Sequence, residues 1–175
     1  SVFGRSVTVT VRVDATTGVP TGLVTVTDGT LGAIVGTCSL TTGGSCSVTT
    51  SALTAGTHAI SAAYATDGNF ASSGSSAVSQ VVGIAGSTTT LTSSVTTAAY
   101  RQSVRLTARV DTTTGGLATG VVSFSDGTAG IGSCTLVGGS CDLTTNSLAL
   151  GAHSLTARYA SDGNVASSTS AAVAQ

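Results

Sequence analysis

Lysine, glutamate, methionine and tryptophan are absent from this 175-residue sequence, and charged residues make up only 7% of it. Each absence excludes something. Without Lys, Glu and Met a chain lacks the usual builders of long helices, while Val and Thr abound, so an all-β chain is expected. Without Lys there is no Lys–Asn isopeptide crosslink of the kind that stiffens some surface pilins. All six basic residues are Arg, all seven acidic ones are Asp, and the formal net charge is -1. Such a balance excludes a nucleic-acid binder that works by neutralising phosphates and a polybasic membrane-surface protein. No apolar run approaches the length of a transmembrane helix, so no membrane insertion is expected of this segment. Aromatic residues, at 3%, are too few to build a sugar-stacking platform. Disorder is also excluded. Hydrophobic residues reach 41% and mean hydropathy is +0.43, the opposite of a disordered composition.

What is present is a sequence written twice. Residues 20–80 carry PTGLVTVTDGT, GTCSL, GGSCSVTTSALTAGTHAISAAYATDGNFASS and SAVSQ. Residues 118–175 carry ATGVVSFSDGT, GSCTL, GGSCDLTTNSLALGAHSLTARYASDGNVASS and AAVAQ. Upstream, SVTVTVRVD (6–14) matches SVRLTARVD (103–111). The register drifts only between these blocks, as deletions in loops would produce. Apolar residues alternate at the strand period: Val7, Val9, Val11 and Val13 against Thr8, Thr10 and Arg12, and His58, Ile60, Ala62 and Tyr64 on one face. Turn signals, among them Asp28-Gly29, Gly43-Gly44 and Asp67-Gly68-Asn69, separate the runs. About seven short strands per repeat are expected, in two tandem immunoglobulin-like β-sandwiches. The boundaries read as 1–82 for the first, 83–86 for a short linker and 87–175 for the second. Repeat 2 is led by GSTTTLTSSVTT (86–97), a first strand with no counterpart in repeat 1. That strand is expected either to be cut off or to be supplied by a neighbour, since open sheet edges recruit strands.

At TGxVxxxDGT, ALxxGxHxxxAxYxxDGN and the following ASS, the sequence resembles the bacterial Ig-like repeats of group 3. The resemblance covers nearly the whole chain, twice, through Leu53/Leu148, Gly56/Gly151, His58/His153 and Tyr64/Tyr159. The family usually has GDxNF where this chain has DGNF (67–70) and DGNV (162–165), a modest change within a hairpin turn. The resemblance implies a sandwich fold in tandem arrays of large secreted or surface proteins, many adhesin-like. It implies no catalytic residues.

Four cysteines allow three pairings. Self-contained repeats select Cys38–Cys46 and Cys134–Cys141. Cys38 shares a face with Leu40 and Cys46 with Val48, so both sulfurs can face inward across a hairpin closed near residues 41–44. Free thiols are one alternative. A zinc site using Cys38, Cys46 and His58 is another, but it lacks knuckle spacing and a fourth ligand. Disulfides imply an oxidising compartment, hence an extracellular location, secreted or at the cell surface.

Catalytic patterns are hard to find. The two histidines read as strand-start residues at the rim of the core. There is no GxSxG elbow to present a nucleophile. Every Asp but Asp142 lies beside a turn or at a strand end, where Asx bonding explains it, and Asp142 aligns with Ser47. Calcium is the stronger cofactor option, through Asp67, Asn69, Asp162 and Asn164 with Asp28 and Asp126. Yet no DxDxDG array exists, and these dipeptides are ordinary hairpin formers, so no cofactor is expected. Thr8 and Thr10 could suggest ice binding, but β-branched Thr also suits the solvent side of a half-buried strand. The sequence therefore reads as no enzyme but a structural or adhesive segment of a bacterial surface protein, stalk or fibre. Its expected partners are neighbouring Ig-like repeats or copies of itself, with a surface receptor or glycan as a further option. Two alternatives stand beside this: a self-assembling filament subunit joined by strand addition, and a binding module appended to a secreted enzyme.

Overall fold

A computed structural model describes residues 1–175. The chain divides into two units, Ser1–Gly83 and Ile84–Gln175. Of the stretch 83–86, Gly83 hydrogen-bonds with Ser1 and Phe3 inside the first unit, and Ala85 with Asn164 and Ala166 inside the second.

Unit 1 has seven strands: β1 (Val7–Arg12), β2 (Leu23–Asp28), β3 (Ala33–Ser39), β4 (Ser45–Thr50), β5 (Gly56–Tyr64), β6 (Ser73–Gly74) and β7 (Val78–Val82). β1 and β4 form one antiparallel sheet. The other runs β3-β2-β5-β6, with β7 also on β5. Alternation decides which side chains enter the space between them. On β2, Val24 and Val26 are fully buried, and on β5 His58, Ile60 and Tyr64 point the same way. Cys46 and Val48 of β4 face them from the opposite sheet. The outward Thr8 and Thr10 pair across the β1–β4 ladder with Thr49 and Ser47, at 3.0 and 3.3 Å between hydroxyls. These threonines thus satisfy one another on an exposed sheet face.

Unit 2 repeats this plan with one strand more. Its elements are β8 (Ser87–Ser93), β9 (Val104–Thr112), β10 (Val121–Asp126), β11 (Ala129–Thr135), β12 (Ser140–Thr145), β13 (Ser154–Tyr159), β14 (Ser168–Thr169) and β15 (Val173–Ala174). One sheet is β12-β9-β8. The other is β11-β10-β13-β14, with β15 on β13. Both units are all-β sandwiches of the expected kind. The extra strand has a measurable consequence for packing. Val104, Leu106, Ala108 and Val110 of β9 are 0–3% exposed, whereas the equivalent Val7, Val9 and Val11 of β1 and the following Val13 are only half-buried.

Both cystines form within their own repeat, as Cys38–Cys46 and Cys134–Cys141, with Cα separations of 5.8 and 5.9 Å. The pairing stands, but the connection is not a two-stranded ladder. β3 belongs to the larger sheet and β4 to the smaller, so each bridge ties one sheet to the other. The segment between them is an arch: Leu40 turns back to Gly22, and Thr41 and Ser45 close a tight loop. Gly36 permits this close approach, because a Cβ there would lie 2.6 Å from Val48 Cγ1. A bulge sits at the same place in both repeats, where the register slips beside Val26 and beside Phe124.

Candidate functional site

Three constellations recur in both units, and each grows from residues that the repeat pattern singles out. The first is a histidine–aspartate pair. Asp28 ends β2 and His58 lies near the start of β5, and the β2–β5 ladder brings them together. His58 is not at the rim of the core. It is 2% exposed and Asp28 is 1% exposed. His58 Nδ1 lies 2.6 Å from Asp28 Oδ2, and Nε2 lies 2.9 Å from the Thr54 carbonyl oxygen. A carbonyl can only accept, and an ionised carboxylate can only accept, so both ring nitrogens donate and the ring is an imidazolium. The Thr54 carbonyl and the Asp28 carboxylate hold the His58 pKa above its ordinary value, against the opposing effect of burial. Burial alone would push Asp28 up. The bonds from His58 and from the Thr30 N–H overcome it and leave the carboxyl below its ordinary range. The result is a buried ion pair whose ring nitrogens and carboxylate oxygens are all hydrogen-bonded.

Unit 2 repeats the device in a wetter setting. His153 Nδ1 is 2.5 Å from Asp126 Oδ2, and Nε2 is 3.0 Å from the Ala149 carbonyl. Here the side chains are 11% and 25% exposed, against 3% and 1% in unit 1. The directions are the same: His153 is raised by the Ala149 carbonyl and by Asp126, and Asp126 is lowered by His153.

The second constellation is the DGN turn. Asp67 Oδ2 accepts from the Thr21 N–H at 3.0 Å and the Thr21 hydroxyl at 2.8 Å, while Oδ1 accepts from the Asn69 and Phe70 N–H groups, both at 2.9 Å. Asp162 does the same with Thr119, Asn164 and Val165. These bonds, Thr21's foremost, hold Asp67 well below the usual carboxylate range. Each carboxylate staples its turn to the TG segment leading β2 or β10. Gly22 and Gly120 are in the left-handed region there, at φ +98° and +91°. The Asp67 and Asp162 carboxylates are thus each engaged by four donors, and no cluster of three or more His, Cys, Asp or Glu side chains comes together in the chain. Close to Asp162, burial and then the aspartate's charge push the Tyr159 phenol up to about 12.

The third is the cystine pair already described, which links the sheets beside Val48 in unit 1 and Leu143 in unit 2. Asp142, which replaces Ser47, is used locally. It accepts from the Arg105 guanidinium and, at 2.5 Å, from the Thr107 hydroxyl across the β9–β12 ladder. Both charged groups are exposed, and the pair adds little to stability.

One further surface distinguishes the units. In unit 1 the free edge of β1 opens onto a groove of about 410 Å³, with Val7, Val9 and Val11 on one wall and Ile60, Ala62 and Val78 on the other. The sequence implied an unpaired edge. It could not show that the groove reaches the opposite sheet. Nor could it show the Asp28–His58 pair, 30 residues apart. The only sequence signal for that pair is that DGT and GxH recur together in both copies.

Two sandwiches with the same strand order, the same intersheet cystine and the same satisfied turns define tandem immunoglobulin-like modules. The chain belongs to the family of bacterial Ig-like domains, group 3, whose family model matches residues 1–83 and 89–175. Among solved structures, the chain is similar to fibronectin(III)-like modules of Clostridium thermocellum CbhA, at 18% identity and a TM-score of 0.39. That match covers 98% of this chain and 83% of the other. It is also similar to a 1.5-MDa bacterial ice-binding adhesin, at 14% identity and 0.37, covering 95% of this chain and 56% of that one. A third similar structure is the BSP domain of a biofilm-associated protein, at 16% and 0.34, covering 99% and 28%. No curated protein matches the chain.

Proposed function

We propose that this chain is a non-catalytic spacer segment of an extracellular bacterial surface protein, stalk or fibre, whose partners are adjoining Ig-like repeats. The observation that carries this reading is the course of the chain through unit 2. The chain enters where Ala85 bonds with Asn164 and Ala166. β8 then runs from Ser87, bonded to Ser168, to Ser93, bonded to Gln175 Oε1. Gln175 closes the other end against His153. The unit is thus threaded from one end to the other over a strand of roughly 20 Å. Tension applied to the chain therefore loads ladder hydrogen bonds. The cystines and the occupied Asp and His groups support the same reading, since each joins two elements and none is poised for chemistry. The cystines also favour an oxidising, extracellular setting.

Single-molecule stretching of a tandem array of this chain tests the proposal. Discrete unfolding peaks should appear, each releasing roughly 300 Å of contour. Reduction of the cystines should lengthen each step by roughly 25 Å, the length of the loop they close. A featureless extension would overturn the spacer reading.

A further inference from the structure

Four of the seven acidic residues stand directly before a glycine: Asp28, Asp67, Asp126 and Asp162. In an unfolded chain such a bond is open to a spontaneous rearrangement, because glycine has no Cβ to shield its amide nitrogen. That nitrogen attacks the aspartate Cγ. A C–N bond forms, the carboxyl C–OH bond breaks, and the hydroxyl leaves with the amide proton as one water. The cyclic imide then takes up one water and opens at either carbonyl, giving aspartate or β-linked isoaspartate. The reaction needs a free glycine nitrogen and a carboxyl able to turn back onto it. The fold withholds both at all four places. The N–H groups of Gly29 and Gly127 donate to the carbonyls of Ala59 on β5 and Ser154 on β13, at 2.8 and 2.9 Å. Those of Gly68 and Gly163 donate to the Thr66 and Ser161 hydroxyls, at 3.1 and 3.2 Å. The carboxylates are held by other donors: Asp28 by His58 and the Thr30 N–H, Asp126 by His153 and the Ser154 N–H, and Asp67 and Asp162 by four donors each. The glycines themselves are exposed, so it is geometry and not exclusion of water that blocks the reaction.

We propose that these four Asp–Gly bonds are latent isoaspartate sites, closed by the fold and opened when their unit unfolds, so that time spent unfolded is written into the chain as a covalent change. At the two DGN turns the Thr66 and Ser161 hydroxyls are the guards of the glycine nitrogen. Each also donates onward, to the carbonyls of Phe70 and Val165, which fixes its place in the turn. At the two β-hairpins the guard is an interstrand bond, which opens only with the ladder. Ionisation adds to the protection, since a carboxylate is a poorer target for the nitrogen than a carboxylic acid. All four carboxyls lie below their ordinary value, Asp67 and Asp126 foremost through the bonds from Thr21 and His153, Asp28 and Asp162 because their donors outweigh burial. In isoaspartate the main chain runs through the former side-chain carbonyl, so the carboxylate is no longer where its donors converge.

The test incubates the intact chain at neutral pH, folded in buffer or reduced and unfolded in guanidinium chloride, and maps isoaspartate at each site by electron-transfer mass spectrometry. In the unfolded chain all four sites should isomerise. In the folded chain each should be slower by at least about tenfold, because the reaction then waits on local opening. Thr66→Val and Ser161→Ala remove the two hydroxyl guards. In the folded state they should speed isomerisation at Asp67 and Asp162 by about fivefold, the worth of one hydrogen bond. Asp28 and Asp126, in the same units, should stay slow and so report that the fold is intact. Thr66→Ser keeps the hydroxyl and should keep Asp67 slow. Two results would overturn the proposal: isoaspartate gathering in the folded chain as fast as in the unfolded one, or hydroxyl variants that isomerise no faster than the unchanged chain.

Discussion

Replacing Asp28 and, separately, Asp126 by alanine tests whether burial sets the worth of the duplicated histidine–aspartate pairs. In both units the histidine bridges the aspartate and a carbonyl oxygen four residues before it, and one backbone N–H, Thr30's or Ser154's, binds the other carboxylate oxygen. The main difference is exposure, with the side chains of His58 and Asp28 at 3% and 1% and those of His153 and Asp126 at 11% and 25%. Asp28→Ala leaves the imidazolium buried without its counter-charge, for which a loss of about 3–5 kcal/mol is typical. Asp126→Ala lets water reach the vacated site, so a loss of about 1–2 kcal/mol is expected there. The pH dependence follows from the two shifts. His58 is raised above 6.5, so its contribution is complete below 6.5 and is lost as pH rises through the folded value. Asp28 is lowered below 3.8, so its contribution is complete above 3.8 and is lost as pH falls through the folded value. Unit 1 should therefore be most stable between these limits, near pH 5, and should weaken on the alkaline side. Asp28→Ala should flatten that profile. The assay is pulse proteolysis across a urea series, with surviving peptides assigned by mass to residues 1–83 or 84–175. Equal losses in the two variants would refute the burial reasoning. A stability of unit 1 that kept rising from pH 6 to 9 would refute the doubly donating ring.

Three other outcomes are expected. Replacing Cys38 and Cys46 together by alanine should destabilise unit 1 by about 2.5 kcal/mol, the loop-entropy value for a closed loop of about eight residues, as read by the same urea series. Gly36→Ala should cost about 1–3 kcal/mol through its overlap with Val48, whereas Gly130→Ala, which meets no atom within 4 Å, should be close to neutral; matching melting curves for the two would contradict the close-approach account. In a Tyr64→Phe, Tyr100→Phe chain, absorbance at 295 nm should show Tyr159 still protonated beyond pH 11 while unit 2 is folded, and ionisation near pH 10 would contradict the buried setting beside Asp162.

The sequence by itself determined the elements and their facing. Alternating Val/Thr runs, a doubled cysteine pair and DG, GG and DGN turns leave few options other than two small sandwiches, because strand period and turn chemistry are local properties. Alternation also placed Cys38 and Cys46 inward, so their pairing was legible. It could not say that β3 and β4 join different sheets, because an arch and a hairpin have the same local spacing and differ only in which neighbours take the backbone bonds. The tertiary structure alone decided the rest. Asp28 and His58 looked like a turn residue and a rim histidine until the β2–β5 ladder set them side by side out of reach of water. Val9 and Leu106 sit at equivalent positions in near-identical strands, yet one is half-buried and the other fully buried. Burial is fixed by what lies across the sheet edge, and a side chain's own sequence neighbourhood carries no record of that.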